Sequence, residues 1–181
     1  VGSANKERIG FSPQGTCPIS CYNERKESVA MAVDTELYLD LILDHYRNPR
    51  NYGTLPRATH RARGHNPLCG DRVSLELLVE NGTIVDLKFE GAGCAISTAS
   101  ASLMAEAVKG KSLSEAEALF DLFHRLIRGE IEDGEDVESR LGKLSALSGV
   151  RNYPVRVKCA TLPWHALKAA IENRGEEVST E

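Results

Sequence analysis

The chain has 181 residues, 41% of them hydrophobic and 27% charged, with a formal net charge of −4 at pH 7, a composition that supports one domain with a real core. The acidic balance argues against a nucleic-acid binder, whose affinity needs clustered Lys and Arg, and no run of about 18 apolar residues exists to span a membrane. Five cysteines, odd in number and widely spaced at Cys17, Cys21, Cys69, Cys94 and Cys159, point to metal or sulfur chemistry in a reducing compartment; with no apolar signal core at the N-terminus, the expected location is the cytoplasm.

Residues 1–32 are polar, aperiodic and punctuated by Gly2, Ser3, Gly10, Ser12, Pro13, Gly15 and Pro18. They read as a flexible tail, with Met31 as a candidate natural start. Cys17 and Cys21 are two thiols on that tail, too few for a metal site by themselves.

A helix is expected from Thr35 to Arg47. Leu37, Leu41 and His45 form one stripe, with Tyr38, Ile42 and Tyr46 beside it. Asp34 or Thr35 caps its start, and Asn48-Pro49 ends it. Arg47 to Asn51 then reads as a solvated basic turn.

Gly64-His65-Asn66-Pro67-Leu68-Cys69-Gly70-Asp71 places a thiol and a carboxylate around one glycine. Gly70 permits a sharp turn and Pro67 stiffens the approach. Such a turn can aim Cys69 and Asp71 at one point, and both side chains are zinc ligands. His65 is a reserve ligand.

Val73, Leu75, Leu77 and Val79 alternate with more polar neighbours as a half-buried strand. Asn81-Gly82 is a strong hairpin signal. Val85, Leu87 and Phe89 alternate on the return strand. Gly91-Ala92-Gly93 then permits a tight turn into a helix that begins at Cys94 and stops at Gly110. Unpaired N–H groups at that helix start favour a thiolate on Cys94.

Ser114 and Glu117 form the expected capping box of the next helix. Its apolar stripe is Leu119, Phe120, Phe123, Leu126 and Ile127, and His124 lies off it, exposed. Acidic residues 130–138 read as a loop. Leu141, Leu144 and Leu147 suggest a short helix ended by Gly149. Pro163 is tolerated in a first helical turn, so the last helix is expected to start between Lys158 and Leu162, with Cys159 at or just before its N-terminus. Trp164, Leu167, Ala170 and Ile171 form its buried stripe. Residues 173–181 read as a polar tail.

Cys69, Asp71, Cys94 and Cys159 are the ligand set whose local structure converges. Three thiolates and one carboxylate suit a tetrahedral zinc site; the same sulfurs suit an iron–sulfur cluster. Four blocks carry a family resemblance: Asp44-His45-Tyr46-Arg47-Asn48-Pro49-Arg50-Asn51, Asn66 to Asp71, Gly91 to Ser97, and Val157-Lys158-Cys159. Residues 33–172 resemble the IscU/NifU N-terminal family of iron–sulfur cluster assembly proteins. Lys158 stands where IscU proteins have histidine, and the long stretch between Cys94 and Cys159 is similar to the SufU branch.

The resemblance implies an α+β fold with a small antiparallel β-sheet packed against helices, as in SufE and IscU. It implies zinc held by Cys69, Asp71, Cys94 and Cys159. Cys69 would accept persulfide sulfur from a cysteine desulfurase of the SUF system and pass it on to a downstream SUF scaffold complex. Arg156 matches a basic family position and would steady the freed thiolate or pair with Asp71. Two alternatives stay open: a scaffold that itself assembles a 2Fe–2S cluster, and a non-catalytic zinc-stabilised interaction module.

Overall fold

A computed structural model of the chain describes residues 38–131, 135–172 and 177–180. The expected tail at 1–32, Cys17, Cys21 and the helix cap at Asp34 or Thr35 lie outside the described residues. The described residues belong to one compact unit. The elements are helix α1 over 38–47, then β1 (His60–Asn66), β2 (Asp71–Glu80), β3 (Thr83–Ala92), α2 (Ala95–Val108), α3 (Leu113–Ile127), α4 (Glu135–Leu141), a 3-10 segment (Gly142–Asn152), α5 (Pro154–Ile171) and β4 (Glu177–Ser179). The expected α+β architecture is what the chain adopts. The sheet order is β3-β2-β1-β4, antiparallel except for the β1–β4 pair.

The β2–β3 hairpin follows its sequence signal. Asn81 and Gly82 both have positive φ, 51° and 76°, as a two-residue turn between twisted strands requires. The phase of β3 departs from expectation. Val79 pairs with Ile84 but Leu78 pairs with Asp86, so Val85 is an extra residue in a bulge. Ile84 is therefore fully buried with Leu87 and Phe89, and Val85 is exposed, because a bulge shifts the inside–outside alternation by one position.

Strand β1 carries little hydrophobic signal. Its buried positions are Ala62, Gly64 and Asn66. The reason is the close passage of α5: a Cβ on Gly64 would come within 2.9 Å of Leu162 Cδ1 and 3.1 Å of Val73 Cγ1. The C-terminal segment corrects the expectation of a tail. Glu177–Ser179 pairs with Arg63–His65, using backbone groups that β1 would otherwise leave open at the sheet edge.

Helices α2 and α5 cover the face formed by Val73, Leu75, Leu77, Leu87 and Phe89. Helix α2 is buried on nearly every side, through Ser97, Ala99, Ser100, Ala101, Ser102, Leu103, Met104 and Ala105. Its small residues let the helices approach, and its hydroxyls become cross-links. Ser102 Oγ lies 2.8 Å from His45 Nδ1 and accepts the Arg50 N–H at 2.8 Å, while the Arg50 guanidinium pairs with Asp44. The 47–51 turn is thus clamped to α2 rather than freely solvated.

Three further expectations are corrected. The capping box of α3 is Ser112 with Glu115, not Ser114 with Glu117. Both pairs fit the local rule, but the Leu113 N–H donates to Gly82 O at 2.9 Å, which anchors the earlier start. Part of the expected acidic loop is α4, because Val137 and Leu141 face the core four positions apart. Residues Leu144, Leu147 and Val150 lie in a 3-10 segment, consistent with their spacing of three.

Helix α5 starts at Pro154, so Pro163 sits in its interior and Cys159 lies well inside rather than at the N-terminus. An interior proline removes one helix hydrogen bond. Tertiary contacts offset that loss. Ser100 Oγ, on α2, donates to Ala160 O at 2.6 Å. Trp164, fully buried, stacks on Phe123 with ring centroids 4.6 Å apart. Among the described residues, no helix is long and apolar enough to cross a membrane.

Candidate metal centre

The β1–β2 hairpin presents the first two candidate ligands. Asn66 pairs with Asp71 at its closed end. The Gly70 N–H donates to Asn66 O at 2.8 Å and the Leu68 N–H to Asn66 Oδ1 at 3.1 Å, an Asx-type turn. Gly70 has φ +73°, a conformation that a side chain rarely adopts. Cys69 is exposed on this turn, next to Leu68.

Asp71 opens β2 and is 2% exposed. Its Oδ1 accepts the Cys94 N–H at 2.9 Å; its Oδ2 is buried with no hydrogen-bond partner among the described residues. Gly93 makes room for this carboxylate, since a Cβ there would meet Asp71 Oδ1 at 3.1 Å. Cys94 is the N-cap of α2, as expected, and its Sγ accepts the Ser97 N–H at 3.4 Å.

Cys159 projects from the second turn of α5 and is buried. Its Sγ lies 3.2 Å from Cys69 Sγ and accepts from Asn66 Nδ2 at 3.6 Å. Ligand atoms of Cys69, Asp71 and Cys159 all lie within 4.8 Å of one another. Cys94 joins this group through its backbone contact to Asp71; its thiol caps α2 and lies outside that compact trio. His65 is half-buried in β1 between Arg72 and Ser179 and is not part of the trio. Arg156 lays its guanidinium over the Tyr153 ring, 4.9 Å from the centroid, and makes no hydrogen bond to Asp71.

Burial above all, and then the neighbouring Cys69 thiol and Asp71 carboxylate, pushes the Cys159 thiol well above the ordinary thiol range. Acidic groups thus crowd one spot that protein atoms alone leave short of positive charge. A cation reverses that balance by favouring the deprotonated thiol and the ionised carboxylate. The unpartnered Asp71 Oδ2 beside two thiols fits a zinc ion, which takes sulfur and carboxylate ligands.

Sequence reasoning missed Asn66 as part of the site. An asparagine heading a turn was visible, since Asn side chains bond to backbone two residues on. Its reach to Cys159 was not, because the two are joined only by the packing of α5 on β1.

Comparison with known proteins places these features in a wider set. The model of the NifU-like N terminal domain matches residues 37–176. The zinc-dependent sulfurtransferase SufU of Bacillus subtilis is 43% identical over 136 residues, covering 75% of this chain and 89% of the relative. The iron–sulfur cluster assembly scaffold protein IscU of Streptococcus pyogenes is 40% identical over 144 residues, covering 80% of this chain and 88% of the relative. A crystal structure from Fervidobacterium islandicum, described as an iron–sulfur cluster assembly scaffold protein for the SUF system, superposes with a TM-score of 0.68 at 38% identity. It covers 72% of this chain and 93% of that one.

Proposed function

The chain belongs to the NifU-like N-terminal domain family, the IscU/SufU family of iron–sulfur cluster assembly scaffolds, and from that premise we propose that it acts as a zinc-dependent sulfur acceptor. The observation that carries this reading is the buried, unpartnered Asp71 Oδ2 beside the exposed Cys69 thiol and the buried Cys159 thiol. The proposed ligands are Cys69, Asp71, Cys94 and Cys159. The proposed domain is residues 33–172, extended by the strand at 177–179, with 1–32 as a preceding tail.

A zinc ion, when bound, supplies the positive charge that keeps its thiol ligands deprotonated. The protein divides the remaining work among its residues. Asp71 is fixed by the Cys94 N–H, and Cys159 by its helix. Cys69 rides on a four-residue turn and faces solvent, so it is the thiol that a partner can reach. Its thiolate attacks the outer sulfur of a persulfide on a cysteine desulfurase. A new S–S bond forms on Cys69, the desulfurase S–S bond breaks, and the desulfurase cysteine leaves as a thiolate with the electron pair. The proposed donor is the desulfurase of the SUF system, the proposed recipient its downstream scaffold complex, and the proposed compartment the cytoplasm. Arg156, exposed beside the start of α5, is proposed to steady the freed thiolate.

The test is peptide mass spectrometry after incubation with desulfurase and cysteine. An added mass of about 32 Da, one sulfur atom in the persulfide product, should map to Cys69 and vanish in Cys69→Ser. Mapping to Cys94 or Cys159 would overturn the assignment of roles. Elemental analysis separates the rivals. Iron with acid-labile sulfide and no zinc would favour assembly of a 2Fe–2S cluster on this chain. Zinc with no persulfide on any cysteine would favour a zinc-stabilised interaction module.

A further inference from the structure

Asn66 is the last residue of β1 and is completely buried, yet its polar atoms reach two separate parts of the site. Its main-chain oxygen accepts the Gly70 N–H at 2.8 Å and its Oδ1 accepts the Leu68 N–H at 3.1 Å, both from the turn that carries Cys69. Its Nδ2 donates to Cys159 Sγ at 3.6 Å, on a different element. The amide orientation follows from chemistry. A backbone N–H on one side requires the oxygen there, so the NH₂ group faces the sulfur.

We infer that Asn66 is a positioning residue for metal binding and sulfur transfer: its side-chain NH₂ holds Cys159 as the retained thiol, while its oxygens brace the turn from which Cys69 is released. The part concerning sulfur transfer rests on the function proposed above. An N–H donated to a thiolate takes up part of its negative charge, which stabilises that sulfur as a ligand and lowers its reactivity toward a persulfide. Cys69 Sγ receives no bond from Asn66 and is open to solvent. One buried amide thereby makes two chemically identical side chains unequal. Groups that orient ligands from behind in this way typically matter 10–100-fold, on the order of the loss seen when such partners are removed.

Two substitutions in the full-length, metal-loaded protein separate the parts. Asn66→Ser retains an oxygen that can accept the Leu68 N–H but cannot reach Cys159. Asn66→Ala removes both interactions. Zinc affinity is measured by competition with a chromophoric chelator. The thiolate-to-metal absorption band is measured after cobalt substitution, and the distribution of persulfide sulfur by peptide mapping. Both variants should lose zinc affinity by about 10–100-fold, shift the cobalt band, and raise the share of sulfur found on Cys159. If Asn66→Ser matches the wild type and only Asn66→Ala departs from it, Asn66 acts through the turn alone and the inference is overturned. Should neither variant fold, the wild type loaded with a spin-active cadmium isotope decides the matter. The Asn66 side-chain amide proton should show scalar coupling to the metal through Cys159 Sγ, and its absence would overturn the inference. The affinity, absorption and coupling measurements stand even if no cysteine of the wild type accepts sulfur, a result that would defeat only the proposed function.

Discussion

His124 should make this protein acid-sensitive. It sits on α3 with its ring stacked on Phe120 at 4.2 Å between centroids and crossed by His165 at 4.8 Å. Its Nε2 is buried without a partner among the described residues. Burial, followed by the nearby His165, Arg128 and Lys168, lowers its pKa from 6.5 to about 4. Between those two values the unfolded chain binds a proton that the folded chain refuses, so stability is full above about pH 6.5 and falls as pH drops toward 4. For these two pKa values, linkage gives a loss of about 2 kcal/mol between pH 7.5 and pH 5. Because the ring is only partly enclosed, about 1–2 kcal/mol is the expected effect. His124→Phe removes the titration while keeping an aromatic ring against Phe120. Urea unfolding followed by circular dichroism, for wild type and variant across this pH range, reads the difference directly. Carboxylates titrate in both proteins and cancel. The variant should lose about 1–2 kcal/mol less than the wild type over that interval. Parallel pH profiles would refute the assignment, and a steeper profile in the variant would reverse its sign.

Gly91→Ala should destabilise the domain by at least about 2 kcal/mol, because its Cβ would stand 2.2 Å from the Arg72 backbone oxygen; a chemical denaturation midpoint equal to the wild type would show that the strands can part there. Trp164→Ala should cost about 3–5 kcal/mol, since the indole is fully buried against Phe123, and urea unfolding measures it. Chelation should lower the melting temperature but leave far-ultraviolet helix content largely intact, because Leu75, Leu77, Leu87, Met104 and Leu167 form a core that contains no ligand. Collapse of the helix signal on chelation would instead mark the metal as the main support of the fold.

The sequence alone settled the features governed by neighbouring residues. Asn81-Gly82 dictates a hairpin because both positions must take positive φ. Cys94 marks a helix start because its sulfur caps the first turn. The grouping of Cys69 and Asp71 was legible for the same reason: one glycine lies between them. Tertiary structure decided the rest. Strand β1 is silent in sequence because α5 passes so close that its buried positions are the small or polar Ala62, Gly64 and Asn66. Pro163 misled because its local rule places a helix start, whereas burial of Trp164 and the bond from Ser100 hold a helix through it. That shift puts Cys159 inside α5, where it meets both Cys69 and Asn66. The phase of Val85 and the burial of His124 likewise depend on a bulge and on the packing of α3 against α5. Local rules fix dihedral angles over a few residues. The unpartnered oxygen of Asp71 and the amide of Asn66 acquire their meaning only from segments far away in the chain, brought together by the burial of the sheet beneath its helices.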